Sequence, residues 1–354
     1  KKRLRLMALF HFIYRLLIAC LSLPSILFID KGKKLVAFAI IIILSYFFSY
    51  LGDGEWIEFL SSCVPARLRG KFLPKRDAIM IFAGTTISLI MGGVLDLFRS
   101  KGLENIGFYV IFGFVFAFTL FNGWTFTKMT QPPVIVSRRK ISLKDVLTKP
   151  IMDKQYRKYI IFFIIYNISV YLSLSLYSIY PIVNLGLSYA YMATLTLIAT
   201  VSRIISARFW HKLSERLQWP IVLMIAVIIL GFSFLLWSIV NIKNAFIILP
   251  VVNVISGIGW GGVTVGLIAN NVLFAPIESR TIYFSFNAWI GALIGFVSSL
   301  FGALLNKSLS SVNLTIGGLT FVNMQLLFLL SGFLMMFTAL YIYFCLYRQT
   351  GNTR

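Results

Sequence analysis

The sequence is short of the residues from which catalytic and metal centres are usually built. It holds 2 histidines, 3 cysteines and 11 acidic residues among 354. Two histidines, His11 and His211, nearly exclude a His-based metal site. Cys20, Cys63 and Cys345 are scattered without metal or redox spacing, so each reads as a small apolar helix residue. There is no nucleophile elbow, no phosphate loop and no paired carboxylates outside 35–62. These shortages argue against an enzyme, a cofactor or a resident metal. Asn313-Leu-Thr315 matches a glycosylation acceptor, but such triplets are common by chance and nothing else suggests a secretory protein.

What is abundant is apolar sequence. Hydrophobic residues make up 59% of the chain, against about 45–50% in soluble domains. Ten runs are long enough to cross a bilayer: 6–29, 35–62, 78–97, 106–127, 159–181, 186–207, 220–240, 245–271, 282–305 and 322–346. The runs are continuous rather than alternating, which predicts helices and not a barrel. The fold class is therefore an all-α integral membrane protein.

A net charge of +22 would suggest nucleic acid in a soluble chain, but its distribution follows topology. With the start in the cytoplasm, the outer side holds only Lys31, Lys33, Lys34, Arg99, Lys101, Lys243 and Lys307. Arg203, Arg208, Lys212 and Arg216 group with the inner basic residues, and Arg15 alone sits inside a segment. This positive-inside bias places both termini in the cytoplasm, in the plasma (inner) membrane, with no nucleic-acid partner. The chain begins at Lys1 without a methionine or a signal peptide, so the natural start is expected to lie upstream.

The longest hydrophilic stretch, 128–158, reads as a basic linker between an N-terminal half, 1–127, and a C-terminal half, 159–354. Within it Ser142-Leu-Lys-Asp145 resembles a helix-start capping box, which predicts a short surface helix. Shifting the first half by 211 positions lays segments 6–29 and 35–62 on 217–240 and 246–273. It also makes Pro65/Pro276, Arg69/Arg280, Ile79/Ile290, Gly84/Gly295, Ser88/Ser299 and Leu89/Leu300 identical. In this register 159–181 and 186–207 have no partner. Two helices are expected before Lys1, giving twelve in two six-helix halves; a native ten-helix protein is the alternative.

Two such halves, cytoplasmic termini and a basic central loop resemble the major facilitator superfamily. That family carries a signature, roughly Gly-x-Leu-x-Asp-Arg-x-Gly-x-Arg, after the second helix of each half. Here Leu213, Glu215 and Arg216 fit it, whereas His211 and Gln218 stand where glycine is usual. The turn beginning Pro65-Ala-Arg-Leu-Arg69 and its partner Pro276-Ile-Glu-Ser-Arg280 are also similar to the family. The resemblance implies solute transport by a two-half bundle and names no solute.

Transporters of this kind bind substrate near the midplane, where an ionisable residue is a functional candidate by default. Arg15 lies nine residues into its segment, about 13 Å deep at 1.5 Å per residue. It is level with Asp53 and Glu55 of the next helix, while His11 is level with Glu58. Either Arg15 forms a buried ion pair with an acid, or one of the three acids binds substrate or a proton. Asp53 shares a helix side with Trp56, and Glu55 with Glu58. Among neutral residues, Asn167, Asn253, Asn270, Asn271 and Asn287 stand beside or in the spans, and Trp56, Trp260 and Trp289 could stack on a solute. More often such neutral residues fill helix interfaces or anchor at the headgroups. At the cytoplasmic side Arg69, Arg76, Arg216 and Arg280, with Glu215 and Glu278, are candidates for a gate of ion pairs that break in one state. The expectation is a monomeric secondary transporter of a small solute, working by alternating access and coupled to H+ or Na+. A transport-inactive sensor or scaffold and a membrane-embedded lipid enzyme are the alternatives.

Overall fold

The computed structural model describes residues 2–23, 30–63, 66–129, 143–310, 314–316 and 319–348. The chain divides into two units, Lys1–Arg138 and Arg139–Arg354. Among the described residues ten helices are long and apolar enough to cross a membrane, in the order of the ten apolar runs.

In the first unit α1 (Lys2–Ala19) runs on into a tight turn at Cys20–Ser22, followed by α2 (Lys31–Cys63), α3 (Ala66–Ser100) and α4 (Glu104–Lys128). α1 packs on α2 and α4, and α3 packs on α4. Aromatic contacts hold the first pair, Phe10 with Phe48 at 6.0 Å and Tyr14 with Tyr46 at 6.3 Å. His11 meets the Phe126 ring edge-on at 6.4 Å. The turn from α3 to α4 needs Gly102, whose φ is +70°. That left-handed residue lets the Leu103 amide reach back to the Phe98 carbonyl at 2.9 Å, a glycine stop for a helix C-terminus.

α3 departs from expectation. Its apolar run begins at 78, yet the helix begins at Ala66. Lysine and arginine are good helix formers in water, so a basic stretch outside the hydrocarbon has no reason to unwind. Loss of hydropathy marks the edge of the membrane, not the end of the helix.

The second unit opens with the predicted surface helix, α5 (Leu143–Met152), and then α6 (Lys154–Tyr171). Asp153 caps α6, its Oδ1 accepting from the amides of Gln155 at 2.9 Å and Tyr156 at 3.1 Å. After a turn at residues 172–175 the segment resumes at Leu176–Ile179 and widens into a π turn at Tyr180–Asn184. The remaining helices are α7 (Tyr189–Arg216), α8 (Trp219–Ser238), α9 (Ala245–Phe274), α10 (Arg280–Ser308) and α11 (Asn323–Tyr341). Between α10 and α11 lies a short antiparallel hairpin, β1 (Leu314–Ile316) with β2 (Leu319–Phe321), which hydropathy does not reveal.

The core of this unit sits around α8. Leu223, Ala226, Val227, Leu230 and Phe234 are fully buried where α8 packs on α9 and α11. α6 packs on α10 and α11, and α7 packs on α9. The pairing of α8 with α9 and α11 parallels that of α1 with α2 and α4, the correspondence given by the 211-position register.

Candidate functional site

A polar surface within the apolar spans of the second unit lies on α9 and α7. On α9, Asn253, Trp260, Thr264 and Asn271 follow one another by seven, four and seven residues. At about 100° per residue they stay within roughly 40° of one another. Asn253 satisfies itself locally, its Nδ2 donating to the Leu249 carbonyl at 2.8 Å. Thr264 Oγ1 donates to the Trp260 carbonyl at 2.8 Å and accepts from Arg203 Nη2 of α7 at 2.9 Å. Arg203 shares its side of α7 with Thr196 and Thr200, whereas the exposed Val201, Ile204, Ile205 and Phe209 turn about 100° or more away. From α6, Tyr166 lies within electrostatic reach of Arg203.

Arg203 corrects the sequence reading, which grouped it with the cytoplasmic residues. Its depth follows from glycine contacts. A Cβ on Gly259 would stand 3.0 Å from the Leu230 backbone, and one on Gly262 would meet Trp210 and Ala226. A Cβ on Gly261 would meet the Arg203 carbonyl at 3.4 Å. Arg203 is thus level with the stretch from Ala226 to Leu230. Those residues stand about 10 and 16 Å along α8 from its start at Trp219, in a helix about 30 Å long. Hydropathy hides this because a charge near the end of an apolar run looks like its boundary. Arg15 is therefore joined by a second arginine at membrane level.

A second polar group joins α6, α9 and α10 at the start of α6. The Tyr156 hydroxyl, fully buried, donates to Asn271 Oδ1 at 2.8 Å, and its ring meets Tyr283 edge-on at 4.5 Å. The Tyr283 hydroxyl donates to Asp153 Oδ2 at 3.0 Å. Tyr159 donates to the Leu267 carbonyl at 2.9 Å. Asn287 belongs to this clasp and not to the α7–α9 face: its amide is buried beside the Tyr156 hydroxyl. Tyrosines 156, 159 and 283 were invisible as site residues in the sequence, since sixteen tyrosines spread through apolar runs give no spacing to single them out.

Several expected residues have structural partners. Asn270 donates to the carbonyls of Trp219 at 3.1 Å and Gly266 at 2.8 Å, tying α9 to α8. Asn167 donates to the Phe163 carbonyl at 2.6 Å. Arg280 reaches the Val272 carbonyl at the end of α9 at 3.4 Å, so it joins a helix end. Glu215 lies 3.5 Å from His211 one turn earlier on the exposed end of α7, and Arg216 closes that helix. Arg15 and Arg76 are half-buried on α1 and α3. The backbones of Asp53, Glu55, Trp56 and Glu58 belong to α2, that of Arg69 to α3, and that of Glu278 to a short turn. The side chains of these six lie outside the described residues, as does any contact between Arg15 and an acid of α2.

At the far end of the unit a cavity of about 440 Å³ is lined by Tyr180, Asn184, Asn241, Lys243 and Gln325 among others. Much of its polarity is already engaged. Tyr180 Oη and Gln325 Nε2 both donate to the Val240 carbonyl, at 2.7 and 2.6 Å.

No family model matches the sequence, and no curated protein matches it. Solved structures do. A point mutant of the nucleoside transporter NupG superposes with a TM-score of 0.67 at 15% identity, over 97% of this chain and 83% of that one. NupG itself gives 0.64 at 15% identity, over 98% and 83%. A bacterial homolog of the human lysosomal transporter Spinster, inward-facing and unoccupied, gives 0.56 at 15% identity, over 97% and 81%. These proteins are major facilitator transporters. The chain has the major facilitator fold, as its residues suggested.

Proposed function

We propose that the chain is a secondary transporter that carries a small solute across the membrane by alternating access, driven by H+ or Na+. The observation that carries this reading is the membrane-level polar face of α7 and α9, with Thr196, Thr200, Arg203, Asn253, Trp260 and Thr264. A helix packed in lipid has no use for such a stripe, whereas a helix beside a water-filled cavity does. The fold supports it, since the neighbours named above are transporters. The clasp of Tyr156, Asn271, Tyr283 and Asp153 fits a gate, because a few side-chain hydrogen bonds between helices can break and re-form as the helices slide. The proton carrier is proposed to be Asp53, with Glu55 in reserve, and both termini are proposed to be cytoplasmic.

The test is reconstitution of the purified chain into vesicles, followed by counterflow of labelled nucleosides, sugars, amino acids and organic anions. Saturable exchange is expected, with accumulation when a proton or sodium gradient is imposed. In Asp53→Asn, exchange should persist while pH-driven accumulation is lost; unchanged uphill uptake rules out that residue. Absence of any exchange with turnover of a lipid would replace transport by enzyme chemistry.

A further inference from the structure

We infer that the face shared by α6, α7 and α9 binds the anionic group of an organic solute, and that Arg203 is its charge partner. This deepens the transport reading, and rests on it for the route by which the anion leaves.

The first ground is an unbalanced charge. Arg203 is level with the middle part of the apolar helix α8, and at such a level in a membrane an arginine is costly without a counter-charge. The acids of the second unit are Asp145, Asp153, Glu215 and Glu278. All four stand at helix ends or turns: within α5, at the cap of α6, in the last turn of α7 and in the turn before α10. Among the described residues none of them pairs with Arg203. Its hydrogen bond to Thr264 satisfies one donor with a neutral oxygen. A guanidinium carries five donors in a planar fork that matches a carboxylate or phosphate edge. Among the described residues, directed donors therefore remain with no anion of this unit to receive them.

The second ground is the company Arg203 keeps. Its neighbours on α7 are Thr196 and Thr200, whose hydroxyls can serve a polar ligand. Thr196 is exposed and binds only its own helix, at the Met192 carbonyl, 3.0 Å away. Thr264 holds the guanidinium against α9, which fixes its direction and lowers the ordering cost of binding. One turn before Thr264, Trp260 offers a flat aromatic surface to the body of the solute. Trp260 is partly buried against the core, so the ring is already positioned. An arginine snorkelling to the surface would need neither the threonine partner nor the flanking hydroxyls.

The third ground is that α7 keeps this side free of bulk. It packs chiefly on α9, through Ala199, Ser202 and Ser206 against Gly257 and Gly261. These small residues bring the two backbones together, so that Arg203 and Thr264 meet directly and face outward along one edge.

The test uses purified full-length chain and pairs of ligands that differ in charge alone. Thermal unfolding is measured with nicotinate against nicotinamide, glutamate against glutamine, and uridine 5′-monophosphate against uridine, with inorganic phosphate as a further arm. A member of the anionic set should raise the melting temperature when its neutral partner does not. The carboxylate and phosphate arms tell which anion is preferred. Arg203→Gln should weaken that protection roughly 10- to 100-fold, the loss of one charge-assisted hydrogen-bonded contact, and Arg203→Lys should restore part of it. Arg208→Gln removes an exposed charge about 140° away around α7 and should keep the protection, while the ligand-free melting temperature of Arg203→Gln separates ligand binding from a purely structural arginine. Equal protection of wild type and Arg203→Gln, neutral ligands binding as well as their anions, or no protection by any anion would each overturn the inference. Protection without counterflow in vesicles would leave the anion site standing and remove transport instead.

Discussion

Two glycines at equivalent places in the internal repeat behave in opposite ways. Gly295 of α10 lies under the Tyr171 ring of α6, where a Cβ would stand 3.2 Å from the ring carbons. Gly84 of α3, 211 positions earlier, has no described residue within 4 Å of that point. Ser299 donates to the Tyr171 carbonyl at 3.3 Å, one turn beyond Gly295. The second unit has α6 to fill this place, and in the repeat register α6 has no counterpart in the first. The same small residue is a packing seam in one unit and an open surface in the other. The repeat is thus kept in sequence while the packing around it differs between the two units.

The largest predicted effect separates the two glycines. Gly295→Leu drives a branched side chain into Tyr171 and should cost about 1–3 kcal/mol. Gly84→Leu should leave this chain's melting temperature unchanged or raise it, since leucine forms helix better than glycine. Equal destabilisation by the two would mean that Gly84 is covered, and that the difference between the units is false.

A smaller effect is expected at the α6 cap. Asp153→Ala removes the cap of two amides and the acceptor of the Tyr283 hydroxyl, a loss of about 1–2 kcal/mol. Limited proteolysis should show easier opening at residues 143–158, with the α8 core unchanged. Unaltered cleavage there would show that Asp153 carries no such weight. The smallest effect is at the exposed end of α7. Glu215→Gln breaks a pair with His211 that lies mostly in water, and should change stability by no more than about 0.5 kcal/mol. A larger shift would mean that Glu215 has a stronger partner when the gate is closed.

The spans were legible because lipid imposes one rule on every residue: twenty apolar positions in a helix or none. Helix ends were not legible by that rule. α6 starts at Lys154 and not at 159 because Asp153 caps it, and α3 starts at Ala66 because charged residues continue a helix in water. The surface helix α5 was legible from its local capping pattern, which does not depend on tertiary contacts. Asn253 and Trp260 were named from the sequence, and they share a face of α9. Arg203 was misplaced, since only the close approach of α7 and α9 reveals its depth. The tyrosine clasp was missed for a related reason. A hydroxyl bond between residues more than a hundred positions apart leaves no local pattern, and tyrosine is ordinary in a membrane helix.

The shared acceptor at Val240 has a mechanical consequence. Tyr180 and Gln325 converge on that one backbone oxygen, so the far ends of the α6 segment, α8 and α11 meet at a single fulcrum. From there to Tyr156 the α6 segment reaches on the order of 35 Å. Were the segment to move as one piece through its turn at 172–175, a swing of about 5° at the fulcrum would move the Tyr156 hydroxyl by about 3 Å. That is enough to take its 2.8 Å bond to Asn271 well beyond hydrogen-bonding range. Such a motion would turn a strain too slight to disturb the fulcrum into the loss of a bond at the opposite tip.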